Sequence, residues 1–340
     1  MKRILVVVFV AMSIQLVRSA DLPAVIDRPI TGGGPTQVSV GIWMVDISNI
    51  DSAQQTFTAE VAVVLRWKDS RLAHTGNGVV RYSLDQIWHP RAVIVNEGNS
   101  VSRKFPDMAE VEPDGKVIYR QRYAGAFTQP LRLRSFPFDR QTFRLHFVAV
   151  RYRPNEVQFV PDQDWIDNGL KQAGGIAPSI TLPDWTIENW NTKSLSYALA
   201  PGFEYSGYAF EFKAARDVQH YILKVILPLV LIVIMSWSGF WIDPVNANSQ
   251  ISVAVTSMLT LIAYRYAVDT QVPRLPYMTR IDLFFLVSTL LVFFSLIEVL
   301  VTTILDNNQQ TARAKKIDRY CRTIFPVIFV VASVAIFAKA

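Results

Sequence analysis

Four apolar segments crowd the last third of this 340-residue chain, each near the roughly 20 residues that a helix needs to cross a bilayer. They run from Tyr221 to Ile242, Gln250 to Thr270, Ile281 to Leu305 and Tyr320 to Ala338. The predicted helices are about 220–242, 247–269, 279–305 and 318–338. The fourth has the shortest uninterrupted apolar core, Ile324 to Ala338, and Arg322 must reach an interface. Pro228 inside the first predicts a local break in hydrogen bonding, tolerated because a neighbouring helix can satisfy the freed carbonyl.

The second segment, QISVAVTSMLTLIAYRYAVDT, differs from the other three in its side chains. Stepping by alternate fours and threes from Ser252 gives Thr256, Leu259, Ala263, Tyr266 and Thr270 on one helical face. Hydroxyls occupy the Ser252 end, apolar bulk the middle and outer part, and Asp269 lies at the rim. Isolated polar side chains are costly in hydrocarbon and usually face a cavity or a partner. This face is a candidate pore wall; the alternative is that Ser and Thr bond only to their own helix carbonyls or to neighbouring helices.

Mean hydropathy of +0.23 with 51% hydrophobic and 18% charged residues fits a membrane protein carrying a large soluble part. Residues 1–20, MKRILVVVFVAMSIQLVRSA, place Lys2 and Arg3 before an apolar run that ends in small residues, the pattern of a secretory signal. Its removal near residue 20 takes Lys2, Arg3 and Arg18 with it and lowers the formal charge from +6 to +3; the basic balance carries no nucleic-acid reading. With the mature amino terminus exported, four crossings return the carboxyl terminus to the same side. The connection DNNQQTARAKKIDRYCR is then cytoplasmic, and its excess of Arg and Lys obeys the positive-inside rule and suits contact with lipid headgroups. The expected location is a membrane crossed four times, with the amino-terminal domain on the exported side.

Residues 21–217 form that exported domain, and 218–340 the membrane domain. In QTFTAEVAVVLRW, Phe57, Ala59, Val61, Val63, Leu65 and Trp67 alternate with more polar neighbours, the period of a strand with one buried face. Phe143, Leu145, Phe147 and Ala149 alternate likewise, as do Tyr208, Phe210, Phe212 and Ala214; Pro113-Asp114-Gly115 supplies a turn before Lys116. Short strands separated by turn signals imply an all-β, immunoglobulin-like sandwich, here joined to an all-α four-helix transmembrane domain. Gly32-Gly33-Gly34-Pro35 reads as a flexible leader, since no Gly-Lys-Ser/Thr follows to make a phosphate loop.

Cys321 is the single cysteine, so the sandwich must hold without disulfides. His74, His89, His146 and His220 are scattered without ligand spacing, which gives no metal site, and His146 alternates toward the solvent side of its strand. Neither a Gly-x-Ser-x-Gly elbow nor an isolated carboxylate pair points to hydrolysis. No enzyme activity and no cofactor are expected.

Several motifs together resemble one family. These are Phe136-Pro137-Phe138-Asp139, the loop WHPRAVIVN from Trp88, the strand end Trp67-Lys68-Asp69, and the order ILP, SWSGFW, polar second span, PRLPYMT. The chain is similar to the bacterial pentameric ligand-gated ion channels, homologues of the Cys-loop receptors that include the nicotinic acetylcholine and GABA receptors. PRLPY and FPFDRQ resemble an amine-gated bacterial branch, RWKD and PYMT a proton-gated one. The paired cysteines that flank the FPFD loop in animal members are absent, as in other bacterial members.

The resemblance implies a homopentamer, opened by an unknown small-molecule agonist or by protons, passing ions through a pore lined by Ser252, Thr256, Leu259, Ala263 and Tyr266. Asp269 would form an outer charge ring that favours monovalent cations. Agonist would bind between exported domains in an aromatic cage, for which Tyr152, Tyr197, Glu204 and Tyr205 are candidates. Ala62 and Val150 stand where the family often places aromatics, so the cage is partial, and Leu261 stands where the proton-gated branch carries a histidine. Asp139, Arg216 and Arg274 are implied in coupling the two domains. The alternative function is a non-conducting membrane-anchored binding or sensor protein of the same fold.

Overall fold

Period-two alternation builds two sheets whose apolar faces meet. The computed structural model describes residues 26–29, 33–268 and 275–338; the signal segment, Asp269 and Arg274 lie outside them. The larger sheet contains β1 (Thr36–Asp51), β2 (Thr56–Lys68), β3 (Val80–Ser83), β5 (Ser102–Arg103), β6 (Met108–Val111), β7 (Lys116–Thr128), β9 (Val157–Pro161) and β10 (Gly174–Ile176). The smaller is ordered β11 (Trp185–Ala200), β12 (Phe203–Arg216), β8 (Arg140–Ala149), β4 (Ala92–Ile94). Every residue of the alternating set from Phe57 to Trp67 is buried, as are the corresponding sets on β8 and β12.

Aromatic packing across the two sheets supplies what a disulfide does in other sandwiches. Phe57 on β2 has its ring 5.4 Å from both Phe127 on β7 and Phe143 on β8, and 5.6 Å from Phe212 on β12. Phe143 and Phe212 stack at 4.9 Å. Such pairs add about 0.5–1.5 kcal/mol each beyond their burial. At the Pro113-Asp114-Gly115 turn Gly115 has φ +83°, and a Cβ there would lie 2.5 Å from the Asp69 carbonyl oxygen, so only glycine fits between β6 and β7.

Among the described residues four helices are long and apolar enough to cross a membrane: Gln219–Trp241, Pro244–Val268, Arg280–Asn307 and Thr311–Phe337. The first contains a π-helical turn, Ile222–Ile226, just before Pro228. Proline has no N–H for the Lys224 carbonyl, and the Tyr264 hydroxyl of the second span takes that place, 3.0 Å from Lys224 O and 2.8 Å from Val225 O. A neighbouring helix thus satisfies the freed acceptor, the arrangement expected of a membrane proline.

The fourth helix begins at Thr311, about seven residues before the expected 318. The connection to the third span is only Asn308–Gln310, with Gln309 at φ +61°, and the basic run is the first turns of the helix. Ala, Arg and Lys are strong helix formers, so the helix extends past the apolar stretch that defined it in sequence. It is also the least buried of these spans within the single subunit.

Candidate pore helix, agonist face and domain junction

The second span packs inward through Gln250, Ala254, Ser257, Leu261 and Val268, all buried against the neighbouring spans. Ser252, Thr256, Leu259, Ala263 and Tyr266 are all exposed. At about 100° per residue they fall in an arc of about 80° directly across the helix from that buried set. Leu259 is 62% and Tyr266 79% exposed in the single subunit. Asn248, one turn before Ser252, is exposed on the same line. Ser257, by contrast, faces inward and donates to its own helix at Val253 O, 2.8 Å away, the self-satisfying behaviour open to a helical hydroxyl.

The agonist-face candidates lie on β11, β12 and the loop after β8. Tyr197 and Tyr205 are cross-strand partners in the β11–β12 hairpin, and Ser196 Oγ donates to Glu204 Oε2 at 2.7 Å. The Tyr152 loop reaches the same hairpin, where Ser206 N donates to Tyr152 O at 3.3 Å. The Tyr152 side chain turns inward instead: its hydroxyl accepts from Trp88 Nε1 at 2.9 Å, with the two rings 5.7 Å apart. Trp88 stacks in turn edge-on against Trp67, so the WHP loop and the WKD strand end form one buried aromatic group.

His146 departs from the solvent-facing position that alternation assigns it. Tyr197 of the hairpin covers it, ring to ring at 5.4 Å, which leaves it half-buried. Burial and then the nearby Arg144 push its imidazole below the usual histidine range. Strand alternation reports the face of one sheet; it cannot report a hairpin that folds back over that face.

At the domain junction Asp139 and Arg216 meet directly. Arg216 Nε lies 2.8 Å from Asp139 Oδ1, and Nη2 donates to Asp139 Oδ2 at 3.3 Å and to Ser52 Oγ at 2.9 Å. Both residues are under 10% exposed. The guanidinium also sits over Trp185 at 4.2 Å and Phe136 at 4.8 Å, a desolvated cation–π cage. Gln141 Nε2 closes the network by donating to Asp139 Oδ2 at 2.7 Å and to Arg132 O at 3.0 Å.

That network is tied to the membrane helices by motif residues whose contacts no local pattern foretold. Phe136 packs on Tyr221 of the first span at 4.9 Å, and Phe138 on Phe337 of the fourth at 5.4 Å. Leu133 N donates to the Tyr277 hydroxyl before the third span at 3.2 Å. Tyr277 belongs to the PYMT motif, so its signal was present; Ser52, Trp185 and Tyr221 carry no motif and are joined only by folding. Arg274 lies outside the described residues.

An inward-coupled sandwich over four spans is the frame of one known family. The pattern described as the neurotransmitter-gated ion-channel ligand binding domain matches residues 25–201, and the neurotransmitter-gated ion-channel transmembrane region matches residues 225–314. This chain belongs to that family. A proton-gated ion channel of Gloeobacter violaceus is 30% identical over 318 residues, 92% of this chain and 84% of the relative. As a neurotransmitter-gated channel family member the chain is a ligand-gated ion channel and not an enzyme. Its ligand-binding domain lies outside the membrane that the four helices span.

Proposed function

We propose that five copies of this chain assemble as a homopentamer, and that agonist binding between adjacent extracellular domains opens a pore lined by the second span. The observation that carries this reading is the exposed arc Ser252, Thr256, Leu259, Ala263, Tyr266 opposite the buried face of the same helix. A lone subunit would leave Ser252 and Thr256 in lipid; a ring of five gives them water. Leu259 and Tyr266 then form two apolar rings that close the pore by expelling water, about 10 Å apart along the axis.

Coupling runs through the Asp139–Arg216 pair. Its aromatic cage touches the sandwich core on one side and Tyr221 on the other, so a shift of the sandwich reaches the first span without crossing solvent. Selectivity is for monovalent cations, through the ring of Asp269 at the outer mouth, since Asn248, Ser249 and Gln250 bring no acidic group to the inner one. The agonist is a proton or a small molecule bound near Tyr197, Glu204 and Tyr205. A free-standing amine cage is disfavoured because the Tyr152 hydroxyl is engaged by Trp88. Protons acting through the second span are disfavoured because Leu261, buried there, cannot titrate.

The test of assembly is native mass measurement of the full chain in detergent, where pentamers are expected and stable dimers or tetramers would contradict the reading. Voltage clamp across pH values, primary amines and carboxylates identifies the agonist class. A reversal potential that follows chloride under NaCl dilution would exclude cation selectivity.

A further inference from the structure

Glu298 of the third span, Asp318 of the fourth and Gln250 of the second converge near the inner side of the bundle. Glu298 is 8%, Asp318 1% and Gln250 0% exposed. The Glu298 carboxyl lies against the Asp318 carboxyl and the Cys321 thiol, and Asp318 lies against the Gln250 amide. Both oxygens of each carboxyl and the Gln250 Oε1 are fully buried and complete no hydrogen bond, and the only donor set against Glu298 among these groups is the weak S–H of Cys321. Gln250 cannot turn to help, because its Nε2 already donates to Ile242 O at 2.8 Å and Gly239 O at 3.2 Å. Both Nε2 protons are thereby committed to those carbonyls, which fixes the orientation of the amide beside Asp318.

The charged groups around the cluster leave this deficit in place. Arg322, the cation beside Asp318, directs its Nε to Phe240 O at 2.9 Å. Asp243, in the turn below, is held by Lys315 at 2.7 Å. Two adjacent carboxylates removed from water cannot both be ionised without a large cost. A proton on one of them turns an acceptor into a donor aimed at the other.

We propose that Glu298 and Asp318 hold one proton between them as a buried acid–carboxylate pair, supplied from the inner face of the membrane, and that its loss acts on the pore helix through Gln250. Glu298 stands nine residues before the inner end of its helix and Asp318 seven after the start of its own, about 14 and 11 Å along the axes. Gln250 precedes Ser252 by two residues, so repulsion between two bared carboxylates reaches the inner end of the second span. The effect on the pore rests on the channel reading above; the bound proton does not.

Infrared spectroscopy of the full chain in detergent separates the two. At neutral pH the parent should show the carbonyl stretch of a protonated carboxylic acid that is missing from the double variant Glu298→Gln, Asp318→Asn. A parent without that band, or a band that persists in the double variant, overturns the proposal. A fold that keeps a proton its unfolded chain releases loses stability as pH rises, so the thermal midpoint of the parent should fall with alkalinisation and that of the amide variant should not. A midpoint that instead follows Na+ or K+ concentration at fixed pH means a cation occupies the site, and also overturns it. In inside-out patches, alkaline solution on the inner face should shift the agonist response several-fold in the parent and leave the double variant unmoved; an unshifted parent overturns the link to Gln250. An acid band in a chain that never conducts supports the proton site and removes the channel reading alone.

Discussion

The two domains treat their large side chains in opposite ways. In the sandwich, Phe57, Phe127, Phe143 and Phe212 meet inside one subunit and leave no surface behind. In the second span, Leu259 and Tyr266 stand in the open although the other face of that helix is fully packed. The first domain completes its core within one subunit, whereas the second leaves a face that, on the proposed reading, further copies enclose. If the proposed assembly holds, binding and conduction place different demands on it: the sandwich would need neighbours to form an agonist site, and the membrane domain would need them to form a pore at all.

Truncating the sandwich core should produce the largest change. Phe57→Ala removes one ring from a cluster of four and should cost about 3–5 kcal/mol, read as loss of folded protein by thermal unfolding. A drop below about 1 kcal/mol would mean that the sandwich too depends on neighbouring subunits. Arg216→Ala leaves Asp139 buried without its cation and should cost about 3–5 kcal/mol. Arg216→Lys should recover part of the stability but not the agonist response, since an ammonium cannot bridge Asp139 and Ser52 as the guanidinium does.

On the open face the expected effects are on function. Leu259→Ser should hydrate the central ring and shift the activation curve leftward several-fold, or give constitutive current, with expression unchanged. Thr260→Ser, about 100° around the helix, should leave the curve in place. The reverse pattern would move the pore to another face.

The smallest effect belongs to His89. Burial, followed by the charge of Arg91, pushes its imidazole down to about 4 from 6.5. Between those two pH values the unfolded chain binds a proton that the folded chain resists, so stability is lost as pH falls through the window. The ring is partly exposed, and solvent screening limits the change to a few degrees in thermal midpoint. His89→Gln should flatten that part of the profile; an unchanged slope would assign the acid sensitivity to other groups.

Much of this architecture is written in short-range pattern. Alternation from Phe57 to Trp67 gave the buried face of β2 because one strand carries its own period. The fours-and-threes step from Ser252 lands on exposed positions as far as Tyr266, within a wider exposed surface that also includes Val255, Thr260 and Ile262. Pro228 announced a freed carbonyl, but its partner Tyr264 is 40 residues away from Lys224 and invisible to any local rule. Tyr152 reads in sequence as a candidate cage member, and only the fold reveals that Trp88, 64 residues earlier, holds its hydroxyl. Glu298 and Asp318 likewise look unremarkable in a chain with no isolated carboxylate pair, since two helices must pack before they meet.

Thiol accessibility during current flow tests the central claim most directly. In a Cys321→Ser background, cysteines at positions 252, 256, 259, 263 and 266 should react with a water-borne thiol reagent in open channels and block or alter current, while cysteines at 254, 257 and 261 should not. Modification confined to 254, 257 and 261, with the exposed arc silent, would contradict the account of the second span as the pore wall.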